Sequence, residues 1–144
     1  MTSDPHVTTQ REPVSRAAEI MRDLDIGIVP VVDDTSSMRL IGVITDRDIA
    51  VRCVAKKHGS ACTVGEHMTS EHLNTVHPND DIEVVIALME RDQVRRIPVV
   101  SDDNRLAGVI AQADLATKLE ANQSHKLEHV LHRVSEPHKV AARV

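Results

Sequence analysis

The chain has 144 residues, a formal net charge of −5, 41% hydrophobic residues and no Phe, Tyr or Trp. An acidic balance with scattered basic residues excludes a phosphate-reading nucleic-acid face, and without aromatics the usual platform for stacking a base is missing. No apolar run approaches the roughly 18–20 residues that cross a bilayer and no signal-peptide pattern opens the chain, while Cys53 and Cys62 are too few for a disulfide framework, so a soluble cytoplasmic protein with no membrane or nucleic-acid partner is expected.

In chain order, a short strand is expected at 6–9. Pro13 suits a first helical turn, and Val14, Ala17, Ala18 and Met21 follow at the i, i+3, i+4, i+7 spacing of one apolar helix face. The β-branched run 28–32, the polar stretch 33–39 and the run 40–44 read as a hairpin, with Gly42 marking a close backbone approach. A helix over 46–57 ends in Lys56, Lys57 and His58 ahead of Gly59. A second short strand is expected at 73–76. Asn79, Asp80 and Asp81 then supply capping groups for a helix whose apolar face is Ile82, Val85, Ile86 and Met89. A second hairpin pairs 97–100 with 106–110, and a helix follows over about 112–120. The tail adds one more helix, with Ser124 at its N-cap, Leu127, Val130, Leu131 and Val134 as its stripe, and Pro137 as its stop.

These elements occur twice. Val14, Ala17, Ala18, Met21 and Pro30 recur 68 positions later as Ile82, Val85, Ile86, Met89 and Pro98. The block Leu40-Ile-Gly-Val-Ile-Thr-Asp-Arg-Asp-Ile-Ala50 recurs 66 positions later as Leu106-Ala-Gly-Val-Ile-Ala-Gln-Ala-Asp-Leu-Ala116. Each unit is β-α-β-β-α, an α/β (α+β) arrangement with helices over one face of a small mixed sheet. A unit of about 60 residues is marginal alone, so the copies are expected to share one cooperative domain with ligand clefts at their seam. The expected boundaries are repeat 1 at 1–58, a linker at 59–67, repeat 2 at 68–120, and a C-terminal helix and tail at 121–144. Residues 63–67 have no counterpart ahead of Met1; either an upstream segment or the C-terminal helix is expected to fill that place.

The Met-Thr preceding each unit (Met1-Thr2, Met68-Thr69), the apolar-Pro-Val-Val strand and the Gly-Val-Ile-Thr-x-x-Asp block resemble a CBS domain. Two in tandem resemble a Bateman module of the stand-alone type, over nearly the whole chain to about residue 119. The resemblance implies two repeats packed with pseudo-twofold symmetry. It also implies regulatory binding of an adenosine-type ligand (AMP, ADP, ATP or S-adenosylmethionine) in the clefts, signalled by a conformational or dimer change. No catalysis and no obligatory cofactor are implied, whereas a homodimer and an unidentified protein target are. Carried over residue by residue, it puts Thr45 on phosphate and Asp48 on ribose in one site, and Asp114 on ribose in the other, where Ala111 replaces the hydroxyl residue. One competent and one weak or empty site are therefore expected.

The residues themselves leave alternatives open. A carboxylate accepts from both vicinal ribose hydroxyls, and Thr45 opens a helix whose free N–H groups attract phosphate. Thr45-x-x-Asp48 is equally a capping box, and Asp114 equally a first-turn acid complementing the helix dipole. Arg95 and Arg96 stand where the first copy has Gly27 and Ile28. Their planar forks suit phosphate, or they pair in solvent with Glu90 or Asp92; Arg47, beside Asp48, has the same two options. Ile26, Ile28, Pro30 and Val94 either wall an adenine or simply fill the core. Cys53, His58, Cys62 and His67 have zinc-type chemistry, but their spacings of five, four and five match no zinc pattern. His125, His129 and His132 share one face of the tail helix and read equally as a solvated face. No metal is expected. The alternatives to a nucleotide sensor are a ligand-free dimerisation module and a metal- or redox-responsive protein using these Cys and His residues. Five glycines leave no room for a P-loop or dinucleotide fingerprint, and no G-x-S-x-G or H-E-x-x-H occurs.

Overall fold

A computed structural model describes residues 4–119. The expected tail helix with His125, His129 and His132, and the first Met-Thr, lie outside the described residues. In the first copy the elements are β1 (Thr8–Thr9), α1 (Val14–Leu24), β2 (Ile28–Val32), β3 (Leu40–Thr45) and α2 (Asp46–Asp48), which runs on into a π-helix (Ile49–Val54). After α3 (Val64–His67), the second copy supplies α4 (Ile82–Asp92), β4 (Arg96–Val100), β5 (Leu106–Ala111) and α5 (Gln112–Leu119). The duplication extends to backbone detail. Asp25 and Gln93, both in the left-handed region, end α1 and α4.

Strand β1 pairs parallel to β2 and β2 antiparallel to β3; β4 pairs antiparallel to β5 in the same register. The strand expected at 73–76 is reduced to one parallel bridge, Val76 to Val99, the counterpart of Thr8 to Val31. The reason is the proline in the repeated motif. Val76 N–H donates to Pro98 C=O and Val100 N–H to Val76 C=O. The next rung upstream needs a donor at Pro98, which has none. Pro30 stops β1 likewise, so 6–9 forms a strand only at Thr8–Thr9.

Each copy builds a core between its helices and its sheet. In the first, Val14, Ala17, Ile20 and Met21 of α1 pack on Val29, Val31, Ile44 and Cys53; in the second, Val85, Ile86 and Met89 pack on Ile97, Val99 and Leu115. Two side chains of the expected faces depart from this. Ala18 is only half-buried, with Ile20 taking the inward place, and Ile82, at the start of α4, is exposed. A third cluster joins the copies: Val32, Leu40, Val100 and Leu106. Its members are repeat counterparts, Val32 of Val100 and Leu40 of Leu106. Beside it Arg39 bridges to Arg105, Leu40 N–H donates to Asn104 C=O, and Leu106 N–H donates to Met38 C=O. The pseudo-twofold axis passes there. No helix among the described residues is long and apolar enough to cross a membrane.

The 46–57 helix is the largest local departure from expectation. After α2 the backbone widens to i→i−5 bonds, as in Ala55 N–H to Ala50 C=O, 2.9 Å, and His58 N–H to Cys53 C=O, 3.0 Å. The helix ends at Val54 rather than 57. Lys57, with φ of 60°, takes the left-handed turn that follows. Gly42 does mark a close approach. A Cβ there would lie 2.8 Å from Thr69 O, because Thr69 pairs with Val43 along the edge of β3.

Candidate functional site

Two cavities lie on the seam, each lined from both copies. One, of about 210 Å³, is lined by Thr45 and Asp48 at either end of α2, Ile28 and Val43 of the first sheet, Val94 ahead of β4, Arg96 and Pro98 on β4, and Thr69 with 72–74. The other, of about 350 Å³, is lined by 4–6, Leu24, Ile26, Ile28, Pro30, Arg96, Val109 and Ala111. They are repeat images of each other. Thr45 exchanges with Ala111, Val94 with Ile26, Pro98 with Pro30, and 72–74 with 4–6. Ile28 and Arg96, themselves counterparts, line both.

The smaller cavity brings together Thr45, Asp48, Ile28, Val94 and Arg96; Ile26 and Pro30 go with Ala111 to the larger one. Arg47 and Arg95 are exposed and line neither cavity. The Arg95 carbonyl instead accepts from Gln112 N–H at 2.8 Å. Asp114 lines neither cavity. Its Oδ2 accepts from Ala111 N–H at 2.8 Å.

Asp48 has structural work as well as a place in the cavity. Its N–H donates to Thr45 Oγ1 and its Oδ2 accepts from Thr45 N–H, each at 3.0 Å, which closes a complete capping box. Thr69 Oγ1 donates to the same Oδ2 at 3.5 Å. Among the described residues, the other oxygen, Oδ1, meets Arg52 Nε in a 3.6 Å ion pair. The carboxyl is therefore fixed in place, with one oxygen lightly used. Thr69, His72 and Asn74 were not among the sequence candidates. Once 28, 30 and 43 are placed on the seam, the 68-residue offset makes 72–74 the images of 4–6 and lining for both clefts follows.

A second cluster lies where the π-helix meets α3. Cys53 Sγ is 3.1 Å from Cys62 Sγ, and His67 Nε2 is 3.1 Å from Cys62 Sγ. One ligand atom from each of the three lies within 4.8 Å of the others, and Cys53 and His67 are buried. His58 Nδ1 approaches His67 Nε2 at 3.4 Å. The Cys53 thiol, and then burial, push the Cys62 thiol up to about 11, so Cys62 holds its proton at neutral pH.

Comparison with known proteins matches this geometry. The sequence model for the CBS domain matches twice, at residues 1–54 and 64–121. The CBS domain-containing protein YhcV of Bacillus subtilis is 36% identical over 124 residues, covering 86% of this chain and 85% of that protein. Among solved structures, Hypoxic Response Protein I with two coordinated zinc ions superposes with a TM-score of 0.71 at 35% identity, over 83% of this chain and 94% of that one. The CBS domain pair of protein MJ0100, in complex with 5′-methylthioadenosine and S-adenosyl-L-methionine, superposes with a TM-score of 0.68 at 27% identity, over 83% of this chain and 92% of that one. With two family matches on the two copies and the same pair architecture in its relatives, this chain belongs to the CBS domain family as a tandem CBS pair.

Proposed function

We propose that this CBS pair is a non-catalytic regulatory module that binds an adenosine-type ligand (AMP, ADP, ATP or S-adenosylmethionine) in the Thr45–Asp48 cavity. The observation that carries this is the convergence of Thr45 and Asp48 from the first copy with Val94, Arg96 and Pro98 from the second around one cavity. Asp48 Oδ1 accepts from the ribose hydroxyls, Arg96 and the Thr45 hydroxyl meet phosphate, and Ile28, Val94 and Pro98 wall the base. The MJ0100 complexes support this ligand class. At about 210 Å³ the cavity is below the roughly 300–1,000 Å³ of ordinary ligand sites. Binding therefore widens the seam, and the resulting rotation of one copy against the other is the signal. Half-exposed Val51 and largely exposed Val54 on the π-helix suit a homodimer interface that reads it. We place the working boundaries at 1–58, 59–67 and 68–120, and the protein in the cytoplasm.

Dye-based thermal shift tests the reading, since the chain has no Trp or Tyr signal. A ligand at about 100 times its Kd adds roughly 2.7 kcal/mol. Asp48→Asn, which keeps the shape and one acceptor, is expected to remove that shift while still giving a cooperative transition. If none of the four ligands raises the transition at millimolar concentration, the nucleotide reading is wrong.

A further inference from the structure

We propose that Cys53, His58, Cys62 and His67 form a structural zinc site that staples the end of the first copy to the segment entering the second. The inference stands apart from the nucleotide reading and rests on how these four residues are held. The π-helix places Cys53 inward, and the Cys53 carbonyl takes the His58 N–H at 3.0 Å, drawing His58 back beneath it. Cys62 is fixed from the other side, its carbonyl accepting from Val14 N–H at 2.8 Å and its N–H donating to Gly59 C=O at 3.1 Å. His67 closes α3, whose last turn is fixed by Met68 N–H to Val64 C=O at 2.8 Å. Separately anchored backbones thus bring the Cys53 and Cys62 sulfurs and the His67 ring nitrogen together, with the His58 ring beside His67.

Core packing alone gives no reason for that arrangement. A buried cysteine behaves as a small hydrophobe and needs no imidazole partner. Here a buried cysteine touches a second thiol at 3.1 Å, that thiol touches a buried histidine nitrogen at 3.1 Å, and this nitrogen meets a second histidine at 3.4 Å. Two sulfurs and two imidazoles in a tetrahedral set select zinc over the hard cations. Bonds of about 2.3 Å to sulfur and 2.0–2.1 Å to nitrogen set tetrahedral ligand atoms about 3.3–3.8 Å apart. The Cys53–Cys62 and Cys62–His67 separations need to open by well under 1 Å, while His58, exposed and outside that three-ligand group, turns in from beside His67 to complete the set. Zinc entry displaces one proton from each thiol, and both protons go to solvent. The neutral histidines supply lone pairs, and no electron is transferred. Four protein ligands close the site, which makes it structural rather than catalytic.

The consequence lies in what the site holds. Arg52, next to Cys53, donates from Nη1 to the carbonyls of His67 and Met68 at 3.3 Å each. A staple here fixes the path by which the chain leaves the first copy and lays Thr69 along β3.

The test uses the full chain, made metal-free under reductant and titrated with Co²⁺ alone as a spectroscopic probe, then with Zn²⁺. One Co²⁺ per chain is expected, with a thiolate charge-transfer band and the visible bands of a tetrahedral ion, both erased by zinc. Each zinc bound is expected to release two protons and to protect both thiols from alkylation. Cys53→Ser and Cys62→Ser are expected to lose the thiolate band, and His58→Ala to keep it with weaker binding. The alkylation readout needs no variant, so a misfolded mutant does not remove the test. Co²⁺ binding without a thiolate band would place the metal on other histidines and overturn the proposal. So would two thiols that stay fully reactive with zinc present, or that are recovered as a Cys53–Cys62 disulfide unable to take zinc after reduction.

Discussion

The two helix starts that follow β3 and β5 are repeat images that keep the acid, Asp48 and Asp114, and differ at the cap, Thr45 against Ala111. At Thr45 the hydroxyl and the Asp48 carboxylate complete a reciprocal box, whereas at Ala111 only the Asp114 half exists. The acid does the same capping work in both copies, so its presence alone does not mark a ligand site. What separates the copies is the hydroxyl, together with whether the acid also reaches a cavity. Asp48 does and Asp114 does not. Downstream the divergence continues: the first copy widens into a π-helix carrying Arg52 and Cys53, and the second remains α-helical to Leu119.

The largest expected effect breaks the support beneath the first of these sites. Gly42→Ala puts a Cβ 2.8 Å from Thr69 O and 3.0 Å from Met68 Sδ. The carbonyl has little freedom to retreat, because Thr69 and Val43 exchange hydrogen bonds of 2.8 and 2.9 Å. A loss of about 1–3 kcal/mol is expected in denaturant unfolding, and a neutral result would show that Thr69 is loosely held. Smaller, and aimed at the comparison itself, is the exchange of caps. Thr45→Ala removes an N-cap acceptor and is expected to cost about 1 kcal/mol. Ala111→Thr completes the half-formed box and is expected to return a similar amount, and it also adds a hydroxyl to the larger cavity. Equal losses from both changes would contradict the account of the caps.

The smallest effect compares the hairpin loops. Asp34, hydrogen-bonded first by the Ser36 hydroxyl and then by the Ser37 and Ser36 N–H groups, is held down at about 2. In the second loop the Ser101 hydroxyl holds Asp103 below the usual carboxylate range. A folded value below the unfolded value of about 3.9 means that each loop's stabilisation is present above that pH and is lost as pH falls through the folded value. Carboxyl-carbon NMR titration should find Asp34 titrating near 2. A midpoint near 4 would show that the serine contacts are absent in solution.

Much of this was legible in the sequence, because the signals were local and repeated. The i, i+3, i+4, i+7 faces placed α1 and α4, and the paired runs around Gly42 and Gly108 placed both hairpins. The Ile28, Thr45, Asp48, Val94 and Arg96 constellation around one cavity follows from laying one copy on the other. Other features depended on geometry that spacing does not encode. Arg95 and Arg47 carry the same charge as Arg96, yet Arg96 opens β4 and lines the seam while Arg95, one residue before it, and Arg47, on α2, are exposed. The parallel pairing at Val76 is cut short by a proline in a different strand. Spacings of five, four and five hid the Cys53, His58, Cys62 and His67 cluster, because a wide helical turn and a separate short helix bring those residues together.

The central claim is that one copy binds an adenosine ligand through Thr45 and Asp48 while its image does not. Isothermal titration of the full chain with AMP and ATP, alongside Asp48→Asn and Asp114→Asn, tests it most directly. The account predicts one ligand per chain, lost in Asp48→Asn and retained in Asp114→Asn. Two equal sites per chain, or binding that survives Asp48→Asn and disappears in Asp114→Asn, would contradict it.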